Sequence, residues 1–387
     1  MVAAGGNEFR DTLEPMKQRY YLNDGKGNFE RRDFKGVFMT AACVLPADYN
    51  KDGLTDFFFG ARALPWNYGL TPSSSLLLNK GNGEFEDVAL HDDALRQAGL
   101  VKSGTWYDMD GDGDKDLVLA IEWEPLTVFL NNDGHFEKHP LNDKTGWWNF
   151  VLPRDFDGDG DVDLLAGNLG ENAKFKPTPD KPVRMYVNDF DENGQVEQIL
   201  TYYLGGKEIP FANYAELTKQ LPKLGEKYPL SKDFAKASLA ELFGGKKLKN
   251  SVVREVNTLQ SIYFENTGHG LEFLAHDLPA ELQFSTLQAT RYDDFDGDGK
   301  KEIMLGGNFY DANIEMGRYD ANYGNVLSIS KEGKMDVFPL GDLRVKGQVR
   351  RIRPVTIAGK TCYILAKNND VPQVIQPGTN VQKLTKN

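Results

Sequence analysis

The sequence predicts an all-β fold, a β-propeller of six or seven blades with a small helical insertion. Three observations carry this: an acidic loop that recurs five times in one register, an Asn-Gly hairpin between those loops, and short apolar runs directly after them. A four-stranded unit cannot bury both of its faces alone. Units of this kind are therefore expected to stack around an axis.

The clearest loop is Asp155-Phe156-Asp157-Gly158-Asp159-Gly160-Asp161-Val162-Asp163, with five carboxylates in nine residues, followed at once by Leu164-Leu165-Ala166. Carboxylates this close repel one another unless a cation sits among them. Hard oxygen ligands at positions 1, 3, 5 and 9, a Gly at 6 for the sharp turn and a free carbonyl at 7 suit Ca²⁺. The same frame returns at Asp48, Asn50, Asp52 and Asp56, and at Asp108, Asp110, Asp112 and Asp116. Asp189, Asp191, Asn193 and Glu197, then Asp294, Asp296, Asp298 and Glu302, complete the set, with Gly53, Gly113, Gly160, Gly194 and Gly299 at position 6. One such loop could be a solvated acidic turn; five in one register predict about five calcium sites. The bidentate Glu of an EF-hand at position 12 is missing, and Phe57-Phe58-Phe59, Leu117-Val118-Leu119-Ala120 and Ile303-Met304-Leu305 lead into strands rather than helices.

Between the loops lie Tyr20-Tyr21-Leu22-Asn23-Asp24-Gly25 and the runs beginning Leu76-Leu77-Leu78-Asn79, Val128-Phe129-Leu130-Asn131 and Ile262-Tyr263-Phe264-Glu265-Asn266, each reaching Gly within a few residues. Asn and Gly supply the positive φ of a tight hairpin. Each unit therefore reads as strand A, acidic loop, strand B, long connection, then hairpin strands C and D. Units start near Ala42, Gly104, Trp148, Val183, Thr286 and Val349. The last replaces the acidic loop with Ile357-Ala358-Gly359-Lys360 and is expected to bind no ion. Tyr214 to Leu221 and Lys232 to Phe243 have helical apolar spacing. They predict two short helices, inserted over residues 212–247 in the unit that carries the Asp189 loop.

The 387 residues carry a formal charge of -12, which five Ca²⁺ ions would reduce to about -2. With no Lys/Arg stripe, nucleic acid is not an expected partner. No apolar run nears the ~18 residues of a membrane span, so direct membrane insertion is not expected. Val2-Ala3-Ala4-Gly5-Gly6-Asn7 resembles the strand ends Leu165-Ala166-Gly167-Asn168 and Leu305-Gly306-Gly307-Asn308, which predicts that the sequence is part of a longer chain. Cys43 and Cys362 are too few for a disulfide framework and read as buried thiols, although a bond between first and last units stays open.

The DFDGDGDVDLLAGN, DMDGDGDKDLVLA and DFDGDGKKEIMLGGN stretches, with the YLNDGKGNF-type hairpins, resemble the FG-GAP/VCBS repeat family, found in integrin α-subunit heads and bacterial cell-surface proteins. The resemblance implies a single propeller domain over residues 1–387, calcium in the A–B loops, and binding rather than catalysis. It also implies an extracytoplasmic setting: secreted, periplasmic or cell-surface.

No GxSxG, HExxH or phosphate loop is present, and the histidines His91, His135, His139, His269 and His276 sit in polar turns or strand ends. Alternating strands put the acidic loops on one face and the B–C and D–A connections on the other. That second face carries Arg62, Trp66, Glu122, Trp123 and Tyr310 as candidate ligand-binding residues, with Tyr68, Trp147 and Trp148 nearby. Aromatics with a few polar groups suit a protein or glycan ligand. The alternative is a polysaccharide lyase or glycoside hydrolase, for which Glu122, Glu124 and Arg62 are the clustered candidates.

Overall fold

The computed structural model describes residues 1–9, 12–268, 270–295, 297–340 and 344–376. Of the residues singled out above, His269 and Asp296 lie outside these. Among the described residues the chain is mostly β, in seven small antiparallel sheets.

A two-stranded ribbon, β1 (Lys17–Asn23) and β2 (Phe29–Phe38), comes first. The next sheet is β3 (Thr40–Ala47), β4 (Asp56–Ala63), β5 (Ser75–Gly81) and β6 (Glu84–Asp87), paired in chain order. After the short helix α1 (Asp93–Arg96), the plan repeats in β7 (Leu100–Tyr107), β8 (Asp116–Glu122), β9 (Thr127–Asn132) and β10 (His135–Pro140).

The third four-stranded sheet starts with β11 (Phe150–Arg154) and β12 (Asp163–Gly167) and is then interrupted. A complete sheet of β13 (Val183–Asn188), β14 (Glu197–Leu204), β15 (Lys207–Pro210) and β16 (Val252–Val256) intervenes. Only afterwards do β17 (Ile262–Asn266) and β18 (Phe273–Asp277) return to complete the order β11-β12-β17-β18. The Asp189 loop therefore does not mark a unit of the series, as its sequence suggests, but belongs to a sheet nested inside another unit. The series resumes with β19 (Leu287–Asp293), β20 (Glu302–Gly307), β21 (Asn325–Ile329) and β22 (Met335–Pro339). It ends with the three strands β23 (Gln348–Ile357), β24 (Lys360–Asn368) and β25 (Gln373–Ile375). Ile357 pairs with Lys360 across Ala358 and Gly359, at φ 48° and 76°, so a two-residue turn stands where the other units have acidic loops.

Of the expected pair of helices, one is found and one is broken. α2 (Tyr214–Gln220) matches the first; α4 (Ser231–Phe234) and α5 (Leu239–Phe243) divide the second, and α3 (Pro222–Lys227) and α6 (Gly245–Lys249) are additional. Ser238 restarts the helix because its hydroxyl accepts from the Glu241 N–H while Glu241 bonds back, a capping box. Pro222, at the first position of α3, lacks the N–H that would continue α2 and so separates the two helices.

Second strands are buried on both faces because successive side chains enter different interfaces. Phe57 and Phe59 pack with Phe34 of the ribbon, while Phe58 packs with Leu117 and Leu119 of the next sheet. Val118 and Ala120 meet Leu164 and Ala166; Leu165 meets Ile303 and Leu305; Met304 meets Ile352 and Leu365. Six sheets thus pack face to face in series, with the nested sheet outside it. Cys43 and Cys362 are both buried free thiols, and burial pushes the Cys43 thiol up to about 12.

Trp148 belongs to this core rather than to a ligand face. It is fully buried between the second and third four-stranded sheets, and its indole N–H donates to the Glu124 carbonyl at 3.0 Å. Replacing Trp148 with Ala is expected to cost about 3–5 kcal/mol of stability. Trp66→Ala, with Trp66 55% exposed, is expected to stay within roughly 0.5 kcal/mol. Urea denaturation of the two variants checks the contrast; equal losses would contradict this placement of the indoles.

Candidate metal loops and the cavity on the opposite face

All five acidic loops close by the same hydrogen bonds. The position-6 glycine N–H donates to the position-1 carboxylate at 2.8–3.2 Å: Gly53 to Asp48, Gly113 to Asp108, Gly160 to Asp155, Gly194 to Asp189 and Gly299 to Asp294. These glycines hold φ between 85° and 105°, a backbone that a side chain would strain. The N–H of residue 2 donates to the carboxylate at position 9, as from Met109 to Asp116 at 2.6 Å and from Phe190 to Glu197 at 2.7 Å.

In three units the other oxygen of that carboxylate takes a further bond, which sequence reading missed. Asn79, Asn131 and Asn266 donate their backbone N–H to Asp56, Asp116 and Asp163 at 2.8–2.9 Å. Their side-chain amides donate to the carbonyls of Thr55, Lys115 and Val162, and their side-chain oxygens accept from Gly81, Gly134 and Gly268. The hairpin Asn reads in sequence as a turn residue. It also clamps the hairpin to the acidic loop, and its recurrence just before Gly was the available signal.

Three acidic groups hold ligand oxygens within 4.8 Å of one another: Asp108, Asp110 and Asp116; Asp155, Asp157 and Asp163; Asp189, Asp191 and Glu197. The first loop has Asn50 at position 3, leaving Asp48, Asp52 and Asp56 as its acids, and the fifth includes Asp296. Burial pushes Asp116 and Asp163 up to about 6, with nearby Asp110, Asp112 and Asp157 adding repulsion. Burial and like-charged neighbours also raise Asp56 and Glu197. Desolvated carboxylates facing other carboxylates are the donor set of a hard divalent cation. Its chemistry here would be charge neutralisation of the loop.

At the opposite strand ends is a cavity of about 710 Å³. The first strands β3, β7, β11, β19 and β23 lie side by side in succession, and Ala42, Lys102, Gln288 and Arg350 from that row line it together with Asn149, just before β11. In four of the five strands the pairing register slips at this level: between Ala41 and Cys43, Val101 and Ser103, Leu287 and Ala289, and Val349 and Arg351. Each slip leaves the intervening residue unpaired and re-aims it, as a β-bulge does. Ser103 and Arg351 consequently join Lys102 and Arg350 at the cavity wall.

Of the residues singled out from sequence, Arg62, Glu122 and Trp123 meet at this cavity. Arg62 donates twice to Glu122, at 3.0 and 2.8 Å; the Tyr68 hydroxyl donates to Glu122 at 2.9 Å, and the Trp123 indole N–H donates to Tyr68 at 2.9 Å. Burial raises the Glu122 carboxyl, but the Arg62 and Lys102 charges outweigh it and hold the carboxyl below the ordinary range. Trp123 is buried at φ 70°, a strained backbone for a bulky residue. Trp66 and Tyr310 do not line the cavity; Tyr310 stacks under the Arg318 guanidinium at 3.6 Å.

The nested sheet covers part of this face. Val183, Met185 and Val187 of β13 pack with Leu100, Trp123 and Leu169, and Met185 and Leu200 line the cavity. Glu124 is tied to Arg254 at 2.9 Å and Lys138 at 3.3 Å. The two clustered carboxylates are thus both paired with cations, Glu122 with Arg62 and Glu124 with Arg254 and Lys138.

An FG-GAP-like repeat matches residues 108–166, the stretch from the second acidic loop through the third. No curated protein matches the chain at a significant level. Among solved structures, the chain is similar to the V. cholerae biofilm matrix protein Bap1 at 10% identity and a TM-score of 0.32, over 92% of this chain and 73% of that one. It is also similar to BBS1N in its complex with ARL6DN, at 8% identity and a TM-score of 0.24, over 87% of this chain and 92% of that one.

Calcium is expected to raise the melting temperature, each filled site contributing about 2.7 kcal/mol at free calcium ~100-fold above its dissociation constant. Asp116 and Asp163 have folded pKa values above the unfolded one. Without metal, their ionisation destabilises the fold as pH rises through about 6, and acidification relieves this. Protons and calcium compete for the same oxygens, so the calcium-induced gain should shrink from pH 7 to pH 5. Calorimetry in calcium and in chelator at both pH values checks this; a gain independent of pH would contradict it. Asp159→Ala should lower calcium content and stability, read by elemental analysis and melting.

Proposed function

We propose that this chain is a calcium-stabilised, extracytoplasmic β-propeller that acts as a recognition module. In this reading the serial sheets are its blades, the acidic loops fasten one end, and the cavity at the other end takes a glycan or protein ligand. The observation that carries the reading is this separation of roles. Acidic groups with repeating internal bonds lie at one set of strand ends, and a cavity of ligand size with aromatic and polar walls lies at the other. Calcium affinity in roughly the 10⁻⁴ to 10⁻³ M range, usual for extracellular modules, would fill such loops only outside the cytoplasm.

Because Arg62 and Glu122 satisfy each other, with Tyr68 and Trp123 behind them, the wall is rigid and suited to binding. Trp147 lines the cavity while packing edge-on against Trp123 at 5.3 Å between ring centres, which makes it the indole to truncate. Trp147→Ala is expected to weaken ligand binding by about 2 kcal/mol with calcium content unchanged. The test is a glycan-array and pull-down screen in millimolar calcium beside a turnover assay on polysaccharides. Depolymerisation that disappears in Glu122→Gln would overturn the binding reading in favour of an enzyme.

A further inference from the structure

The cavity is positively charged in a chain of formal charge -12. Four cationic side chains, Arg62, Lys102, Arg350 and Arg351, line it against the single carboxylate of Glu122. Arg62 is committed to Glu122 by two hydrogen bonds, and Lys102 stands 3.9 Å from the same carboxylate. Arg350 bonds only neutral oxygens, the Asn308 carbonyl at 3.4 Å and the Gln348 side chain at 3.0 Å. Asp311, outside the lining, also attracts Arg350, yet among the described lining residues one carboxylate faces four cations. Burial also holds Lys102 and Arg350 below their ordinary pKa values, with Arg62 adding repulsion to each.

Two further features mark this as a built site. Lys102, Gln288 and Arg350 all occupy register slips, so the backbone departs from regular pairing to turn these side chains into the cavity. The Ser103 hydroxyl beside them is buried, lines the cavity and has no hydrogen-bond partner, although buried hydroxyls ordinarily find one.

We propose that the cavity binds the carboxylate of a uronate unit in an acidic glycan, with Lys102, Arg350 and Arg351 around the anion and Ser103 donating to it. This rests on the recognition-module reading and names its ligand class. A guanidinium matches a carboxylate in planar, two-point fashion. The Asn149 and Gln288 amides offer both donors and acceptors, as paired sugar hydroxyls require, and the Trp147 ring supplies an apolar wall for a sugar face. An acidic peptide could also use the cations and pair its backbone with those amides; the Trp147 ring beside them is what favours a sugar face.

The test is calorimetric titration of the whole chain, in millimolar calcium, with an oligogalacturonate, its methyl ester, a neutral glucan oligomer and polyglutamate. Binding of the oligogalacturonate, at least ten-fold weaker for the ester, is expected. It should weaken on the order of ten-fold in Lys102→Met and in Arg350→Gln, and fall with added salt. Calcium-dependent melting of both variants verifies that they fold; Ser103→Ala, which removes one hydroxyl, gives a third variant with little risk to folding. Equal binding of acid and ester, or of the glucan, would overturn the uronate assignment while keeping a glycan-binding module. Polyglutamate binding without oligogalacturonate binding would overturn it in favour of an acidic peptide. Loss of calcium-dependent melting in the parent chain would instead strike the underlying module reading.

Discussion

The position-9 carboxylate is the constraint on which the repeating architecture depends. In Asp56, Asp116 and Asp163 one oxygen takes the N–H at the start of the acidic loop and the other takes the N–H of the hairpin Asn. One side chain thereby fixes the turn from strand A to strand B and the distance from B to C. Asp56, Asp116 and Asp163 are all essentially buried, so the group must be satisfied on every side. The carboxylates gathered in such a loop repel one another, and under the proposed reading a divalent cation would relieve that repulsion.

Rigidity at that end leaves the other free to vary. Connections there range from the short link between β8 and β9 to the link between β12 and β17, which holds an entire sheet and five short helices. The helices have a core of their own, with Leu217, Leu221, Phe234 and Phe243 packed against Ile199 and Phe190. Met185 of β13 and Leu200 of β14 line the cavity. Elaboration of one connection thus shapes the cavity without disturbing the acidic loops of the serial sheets.

Features set by local chemistry were legible in the sequence. The acidic loops, the hairpins and the buried second strands follow from residues within about ten positions of each other, and the turn at Ala358-Gly359 was readable from the missing acids. The nesting was not legible, because the Asp189 loop looks locally like its four counterparts. Only the pairing of β12 with β17, from Leu164–Phe264 to Ala166–Ile262, reveals that β13 to β16 form an interruption. The cavity cations were hidden for another reason. Strict alternation would send Lys102 and Ser103, or Arg350 and Arg351, to opposite faces, and the register slips that bring each pair together leave no local signature. Trp123, a ligand-binding candidate from its sequence position, lines the cavity but is largely buried by the packing of β13.

The nesting also bears on how the chain reaches this structure. Gly167 ends β12 and Ile262 begins its partner β17, so this one junction of the series waits on the closure of a long intervening segment, while β4–β5, β8–β9 and β20–β21 close over far shorter ones. Closure entropy grows only slowly with length for a flexible loop, yet it must be met before the distant contacts form. A segment that first collapses on its own core presents its two ends as neighbours, since β13 and β16 pair directly and leave the sheet side by side. The nested sheet thus brings the two ends of its own segment together, so that the span left to close between β12 and β17 is far shorter than the number of residues between them.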